Sequence, residues 1–166
     1  MAEKNKIYET KVKHSGIFDF REVYSFLYTV LTDMEYSVEE KTYSEKTKGD
    51  QKEIELYWVA KRKVSDYFRF QIKVDWRILR MTNAEVVKDG VKTSVNKGDF
   101  ECKIYCFLEK DYENRWENSP LMKFLRGIYD KYIIKSTVEG YEAQIEKETL
   151  DIVNQLKAFL ALTVPK

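Results

Sequence analysis

The chain has 166 residues, enough for one domain with its own core, and its 43% hydrophobic and 14% aromatic content excludes an intrinsically disordered chain. Its 29 basic and 28 acidic side chains leave a net charge of +1, which argues against non-specific nucleic-acid binding. The N-terminus is polar, and no apolar run reaches the roughly 18 residues of a membrane helix. We therefore expect a single domain over residues 1–166 that is cytoplasmic and does not contact a membrane.

The chain opens with a strand followed by a helix whose start is well specified. Residues 6–14 alternate between two faces, which is the period of a strand. Asp19 then reads as a helix N-cap, and Glu22 three residues later completes a capping box. Apolar residues at helical spacing follow, and they predict a helix that runs to about Met34.

The middle of the chain predicts six further strands joined by short turns. These strands cover, in order, residues 36–44, 54–60, 67–78, 86–88, 91–93 and 100–108. Asp89 and Gly90 strongly indicate a type I′ hairpin, because both central residues of that turn need a positive φ. A second turn is expected at Gly98, just before the last strand.

The order strand, helix, six strands, helix predicts an α+β domain with an antiparallel sheet of about seven strands. Sequential strands with short connections must pair in antiparallel order, because parallel pairs need long crossovers. Alternation along these strands gives the sheet one apolar face. Only the two helices are available to cover that face, and the long C-terminal helix is expected to be the main cover.

The C-terminal helix is expected to span residues 120–162, after an N-cap at Ser119 and a proline at the first helical position. Its apolar positions change phase near Ser136, where a second capping box can begin. We therefore expect two helical pieces. The second piece, residues 136–162, would lie on the sheet, while residues 120–133 would pack elsewhere or form the contact of a homodimer.

This order of elements resembles the START-like (SRPBCC) helix-grip superfamily, in which a curved antiparallel sheet wraps around a long C-terminal helix. The resemblance covers most of the chain and rests on element order, without a diagnostic motif. It departs from the superfamily in one respect, since a single helix rather than two short ones follows the first strand. Residues 75–79 and 123–132 are also similar to small uncharacterised archaeal proteins, and that similarity implies no activity.

Residues suited to catalysis are few, so the sequence predicts no catalytic residue, no metal ligand and no cofactor, and an enzyme is the least favoured class. His14 is the only histidine. Cys102 and Cys106 lie four residues apart in a strand, about 13 Å, which is too far for one zinc ion or for a disulfide. The adjacent Glu39 and Glu40 lie in a polar strand and are interpreted as part of a solvated face.

Two kinds of function remain, and the first is a non-catalytic binding domain. A curved sheet that grips a helix can leave an apolar cavity with a few polar groups, which suits an apolar or amphipathic small ligand. The predicted pocket residues are Tyr8, Thr10, His14, Trp58, Phe70 and Trp76. The simpler interpretation is that these side chains fill the core.

The second kind is a surface interaction module for RNA, a ribonucleoprotein or a protein partner. Basic residues interleaved with aromatic ones on an open sheet face can bind single-stranded RNA by stacking and charge. The candidate residues are Lys61, Arg62, Lys63, Arg69, Lys73, Arg77 and Arg80. Acidic residues on the same faces favour the simpler interpretation, a solvated surface on which opposite charges pair across strands.

Overall fold

The computed structural model describes residues 3–110, 119–129, 131 and 135–162. Along these residues the chain forms five strands and three α-helices. The strands are β1 (Glu3–Phe18), β2 (Ser37–Lys48), β3 (Gln51–Lys63), β4 (Phe68–Lys88) and β5 (Val91–Lys110). The helices are α1 (Phe20–Asp33), α2 (Pro120–Ile128) and α3 (Lys135–Leu162). The predicted α+β class, with an antiparallel sheet and a long C-terminal helix, is confirmed.

The five strands form one antiparallel sheet in the order β1-β5-β4-β3-β2. Strands β2 to β5 are a meander, and β1 pairs with the last strand, β5. Strand β1 therefore lies at one edge of the sheet, and α1 leads from it to the opposite edge, where β2 lies. On the way, α1 contacts both β2 and α3.

The prediction of seven strands is wrong, because β4 and β5 each continue through a predicted strand end. Their ladder runs without a turn as far as Lys88 and Val91. Within it, the register shifts between Leu79 and Thr82, and Arg80 has a φ of 53°, which marks a β-bulge. A bulge bends the paired strands at the place where the sequence predicted two strand ends and a turn.

Gly98 faces this bulge and does not form a turn. A Cβ built at Gly98 would lie 2.8 Å from the carbonyl oxygen of Leu79 and 3.1 Å from that of Arg80. The two backbones can approach this closely only at a residue without a side chain. The hairpin predicted at Asp89 and Gly90 is confirmed, since their φ values are 53° and 78°.

The core lies between the inner face of the sheet and the helices α1 and α3. The buried side chains of the alternating part of β4 are Phe68, Phe70, Ile72, Val74, Trp76 and Ile78. Strand β5 buries Phe100, Cys102, Ile104, Cys106 and Leu108. Each large apolar side chain that leaves water contributes about 1.5–3 kcal/mol, so this face supplies most of the driving force for folding.

Helix α1 begins as predicted. The Asp19 side chain accepts hydrogen bonds from the backbone N–H groups of Arg21 and Glu22, at 3.0 and 3.2 Å, which stabilises the first turn. The N–H of Phe20 also donates to Oδ1 of Asn96 at 3.0 Å, and this hydrogen bond fixes the start of α1 to β5. The side chains that α1 buries are Val23, Leu27, Val30 and Leu31.

Helix α3 packs against β1, β5 and α1, in agreement with the role predicted for residues 136–162. Its buried side chains are Ile145, Thr149, Ile152, Val153, Leu156 and Leu160. Phe159 stacks on Phe26 of α1, with ring centroids 4.3 Å apart. Residues 132–134, beside the predicted break near Ser136, lie outside the described residues. None of the helices in the described ranges is long and apolar enough to span a membrane.

A largely buried ion pair fastens α3 to the sheet. Arg62 donates to Oε1 of Glu148 at 2.6 Å and to the carbonyl oxygen of Met34 at 2.8 Å. Its guanidinium lies over the rings of Tyr36 and Phe70, 5.0 and 5.3 Å from their centroids. Tyr36 in turn donates to Oε2 of Glu148 at 3.1 Å. Burial, followed by the charge of Glu148, raises the pKa of Tyr36, so its hydroxyl keeps the proton that it donates.

Candidate functional site

The residues of the predicted interior pocket share the inner face of the sheet but are spread across it. Tyr8, Thr10 and His14 lie on β1, Trp58 lies on β3, and Phe70 and Trp76 lie on β4. Strand β5 separates β1 from β4. The three residues on β1 are only partly buried, whereas the other three are fully buried. The structure therefore does not bring the six side chains together around one point.

The rings near the two predicted pocket tryptophans contact one another. The centroids of Trp58 and Trp76 are 4.9 Å apart, and Tyr24 of α1 lies edge-on to Trp58 at the same distance. Phe70 contacts Tyr141 of α3, with centroids 5.9 Å apart. These contacts favour the interpretation that the aromatic side chains fill the core. A ligand between the sheet and α3 stays a prediction.

His14 and the two cysteines are surrounded by packed backbone and side chains, as residues with a purely structural role are. Nε2 of His14 lies 2.9 Å from the carbonyl oxygen of Ile17, and its ring contacts Phe18 edge-on. Cys102 and Cys106 are free thiols and buried, and burial raises the pKa of both. A thiol with a raised pKa is a poor nucleophile and a poor metal ligand at neutral pH. These three side chains therefore belong to the packing of the sheet.

The predicted nucleic-acid residues divide between the two faces of the sheet. Those on the outer face, which points away from α1 and α3, are Lys61, Lys63, Arg69, Lys73 and Arg77. Arg62 instead lies on the inner face, in phase with Trp58 along β3, and Glu148 of α3 pairs with it there, so its guanidinium does not contribute to the open face. Arg80 lies at the bulge and donates to Asp99 of β5, and this contact lowers the pKa of that carboxyl.

The outer face has a local cluster of basic and aromatic side chains. Its members are Lys6, Lys61, Lys73, Lys103, Tyr105 and Phe107, which we call the outer patch. Nζ of Lys73 lies 4.9 Å from the ring centroid of Phe107, a cation–π contact. At the Lys103 end of the patch the face is mixed, since a depression there is lined by Glu55, Asp75 and Glu101 together with Arg77 and Lys103. Within the patch, Lys6 is paired with Glu9, which lies opposite Tyr105, so the positive charge of the patch is small and local.

A cleft between α1 and β2 is a feature that the sequence did not predict. Its volume is about 420 Å³, which is within the range of roughly 300–1,000 Å³ that is typical of small-molecule sites. The residues that line it, and define the α1–β2 cleft, are Phe20, Arg21, Tyr24, Ser25, Glu40 and Tyr43. Tyr43 is 48% exposed, so the aromatic wall of this cleft is accessible from solvent.

Aromatic donors hold the carboxylate of Glu40 in the α1–β2 cleft. The hydroxyl of Tyr24 donates to Oε1 at 3.1 Å, and the indole N–H of Trp58 donates to the same oxygen at 3.3 Å. Burial, and then the hydrogen bond to Glu40, raises the pKa of Tyr24, so the hydroxyl remains a donor. The neighbouring Glu39 instead pairs with Lys41 at 2.8 Å. Glu40 forms no ion pair within the part of the chain that the structure describes.

A β-bulge places Glu40 and Tyr43 on the same side of β2. Residues three apart in a regular strand face opposite sides, so the two side chains would otherwise be separated. The register of β2 against β3 shifts at Lys41, and Glu40 and Tyr43 then lie opposite Trp58 and Leu56. Both partners are buried on the inner face. Because β2 is polar on both faces, its sequence has no alternation from which this bulge could be predicted.

Helix α2 has an apolar stripe on its surface. The residues of this α2 stripe follow the spacing i, i+3, i+4, i+7 and are Leu121, Phe124, Leu125 and Ile128. All four are exposed, Phe124 by 66%, and α2 has no buried residue. Tyr129, which follows the helix, contacts the ring of Tyr67. Contiguous exposed apolar patches on soluble proteins commonly mark interaction sites.

No protein-family model matches this chain, and neither a curated protein nor a solved structure matches it. The candidates for function are three features of the molecular surface described above. They are the outer patch, the α1–β2 cleft and the α2 stripe.

Proposed function

We propose that this protein is a non-catalytic interaction module that associates with a second copy of itself through the α2 stripe. The main support is the exposure of four apolar side chains at helical spacing on one helix. In water, such a stripe is stabilised when another apolar surface covers it. An association role for residues 120–133 also agrees with the expectation from the sequence.

The spacing of the stripe suits two identical helices. Around a two-fold axis, an antiparallel partner helix would place Leu121 opposite Ile128 and Phe124 opposite Leu125. An interface between two identical copies must be self-complementary in this way. A stripe that is symmetric about its own midpoint meets this requirement without any further rearrangement.

The charges of α2 also favour a second copy over an acidic partner. At about 100° per residue, Lys123 and Arg126 lie on the side of α2 opposite the stripe, and the uncharged Met122 and Gly127 flank it. Two copies would therefore not bring like charges together at the contact. A groove with an acidic rim would instead be matched by basic residues directly beside the stripe.

The order β1-β5-β4-β3-β2, with α3 packed against β1 and β5, supports the resemblance to the helix-grip superfamily. In that architecture the first strand joins a meander at its last strand, and the C-terminal helix lies on the sheet. We infer a helix-grip-like arrangement on this basis. The interior aromatic contacts of Trp58 and Trp76 do not favour an apolar ligand inside it.

Light scattering coupled to size exclusion tests the association. The wild-type protein should form a dimer whose fraction rises with concentration. The double variant Phe124→Ser/Leu125→Ser should weaken the dimer at least about tenfold, because two central apolar side chains are lost from the interface. Its circular dichroism spectrum and thermal midpoint should stay close to wild type, since α2 buries none of its residues.

Lys123→Ser is the matched control for this experiment, because it changes the same helix on the side away from the stripe. This variant should dimerise like the wild type. A wild-type protein that stays monomeric at every concentration would contradict the proposal. A double variant that dimerises as well as the wild type would do so too.

The outer patch supports a second candidate function, the binding of single-stranded RNA. Tyr105 and Phe107 are partly exposed on the open face of the sheet, where Lys73 lies opposite Tyr105 and over the ring of Phe107. Bases stack on such rings while the basic residues contact the phosphates. The low net charge of +1 limits this function to the local patch.

Fluorescence anisotropy with a short labelled oligouridine tests the RNA-binding function. The wild type should bind at low salt and lose affinity as salt rises. Lys73→Ala/Phe107→Ala should weaken binding about tenfold, because one stacking ring and one cation are lost. Lys48→Ala, on the edge strand β2, is the control and should bind like the wild type. Absence of binding by the wild type at low salt would exclude this candidate function.

A further inference from the structure

We propose that the α1–β2 cleft binds an organic cation, an ammonium or guanidinium group, with the Glu40 carboxylate as its counter-charge and the rings of Phe20, Tyr24 and Tyr43 as its walls. This inference does not depend on the proposed self-association, since the cleft and the α2 stripe lie on different elements. It assigns a ligand to a surface whose residues gave no functional indication in the sequence.

The charge of the cleft supports a cationic ligand. On β2, Glu39 pairs with Lys41 and Glu45 pairs with Lys52, at 2.8 and 3.2 Å. Glu40 has two aromatic hydrogen-bond donors on Oε1 and, among the described residues, no basic partner. A carboxylate that is oriented but not neutralised, at the wall of a cleft, is a favourable contact for a positive group.

The walls of the cleft support an organic cation rather than a metal ion. Phe20, Tyr24 and Tyr43 are the aromatic lining residues, and aromatic faces attract ammonium and guanidinium groups through the ring quadrupole. A single carboxylate supplies too few oxygen ligands for the hard divalent cations, which take six or more. A cation that also has apolar substituents uses both the charge and the rings.

The cleft is held in place by several contacts without a ligand. On α1, the N–H of Phe20 donates to Oδ1 of Asn96 at 3.0 Å. On β2, the hydroxyl of Tyr43 donates to Oε2 of Glu45 at 3.1 Å. The bulge at Lys41 sets Tyr43 on the same side as the carboxylate. Bulges that redirect a side chain in this way are frequent beside functional sites. Binding therefore requires little ordering of these walls.

Arg21 also lines the cleft and affects the expected strength of binding. Within the described part of the chain, no ion pair joins Arg21 to Glu40. Its positive charge weakens the field of the carboxylate by an amount that depends on the separation. We therefore expect Arg21→Gln to strengthen binding of a cation about two- to threefold.

Nitrogen–proton correlation NMR of the full chain, with choline as the probe, tests the proposal. The indole N–H resonance of Trp58, assigned with Trp58→Phe, should shift in a saturable manner because it donates to Glu40. Glu40→Gln keeps the size of the side chain and an acceptor oxygen but removes the charge, so it should weaken binding at least about tenfold. Tyr43→Ala should weaken binding about threefold or more through loss of one wall.

Glu39→Gln is the matched control, because Glu39 is the neighbouring carboxylate, is bound by Lys41 and lies opposite Val59 of the outer face. This variant should bind choline like the wild type. The neutral tert-butyl isostere of choline should bind at least about tenfold more weakly than choline itself. Equal binding of choline and its neutral isostere would overturn the proposal, as would full affinity in Glu40→Gln.

The same chemistry occurs in free small cations and in modified lysine side chains of proteins, and a competition experiment separates these two sources. A short peptide with one trimethyllysine is titrated against choline-loaded protein. Displacement at peptide concentrations well below that of choline would assign the site to a protein side chain. Displacement only at equal or higher concentrations would assign it to a free cation. If neither choline nor the peptide gives a saturable shift of the Trp58 resonance, the inference is overturned.

Discussion

Replacing Arg62 by leucine will lower the free energy of unfolding by about 2–4 kcal/mol, because the Glu148 carboxylate is left without its cation inside the fold. The side chains of Arg62 and Glu148 are only 16% and 15% exposed, so water screens the remaining charge weakly. The substitution also removes the hydrogen bond to Met34 and the contacts with the rings of Tyr36 and Phe70. These groups belong to the sheet, to the end of α1 and to α3, so their loss loosens three elements together.

Urea denaturation measures the effect. Lys6→Gln is the control, because it breaks the pair of Lys6 with Glu9, whose side chains are 53% and 45% exposed, and an exposed pair should affect stability far less than a buried one. The double variant Arg62→Leu/Glu148→Leu should be more stable than Arg62→Leu alone, since no charge remains buried. A loss below about 1 kcal/mol in Arg62→Leu would show that the ion pair does not fasten α3.

The features that could be predicted from the sequence depend on residues that are close along the chain. The N-cap at Asp19 and the hairpin at Asp89 and Gly90 are each set within four residues. The burial of Trp58 and Trp76 follows from the alternation of their own strands. Each of these features is determined by the alternation of apolar residues or by the turn residues of its own segment. Contacts with distant parts of the chain do not change them.

The features that could not be predicted depend on partners that are distant in sequence. Alternation along β3 puts Arg62 in phase with Trp58, but a charge on the inner face is plausible only once Glu148 of α3 is known to lie opposite. The bulges at Lys41 and Arg80 shift the register within stretches that are polar or mixed. Such stretches have no regular alternation of apolar and polar residues, so the shift cannot be seen in the sequence. The α1–β2 cleft was missed for this reason, because the first of these bulges places Tyr43 beside Glu40 in its wall.

Replacing Gly98 by alanine will lower the free energy of unfolding by about 1–3 kcal/mol, because the new methyl group overpacks the bulge. Its Cβ would lie 2.8 Å from the carbonyl oxygen of Leu79, 3.0 Å from Cα of Met81 and 3.1 Å from the carbonyl oxygen of Arg80. All three are backbone atoms, so the strands must move apart. At Gly140 in α3 the added Cβ meets nothing within 4 Å, and Gly140→Ala should stabilise the protein by about 0.5–1 kcal/mol.

Gly98→Asn distinguishes a bulge contact from a turn at the same place. Asparagine tolerates the left-handed backbone of a turn better than alanine does, so a turn at Gly98 would make the asparagine variant clearly milder. In the continuous β5 strand, the Cβ of asparagine meets the same atoms as that of alanine. The two variants should then lose equal stability in urea denaturation, within about 0.5 kcal/mol. A milder asparagine variant would contradict the five-stranded sheet and favour separate strands on either side of Gly98.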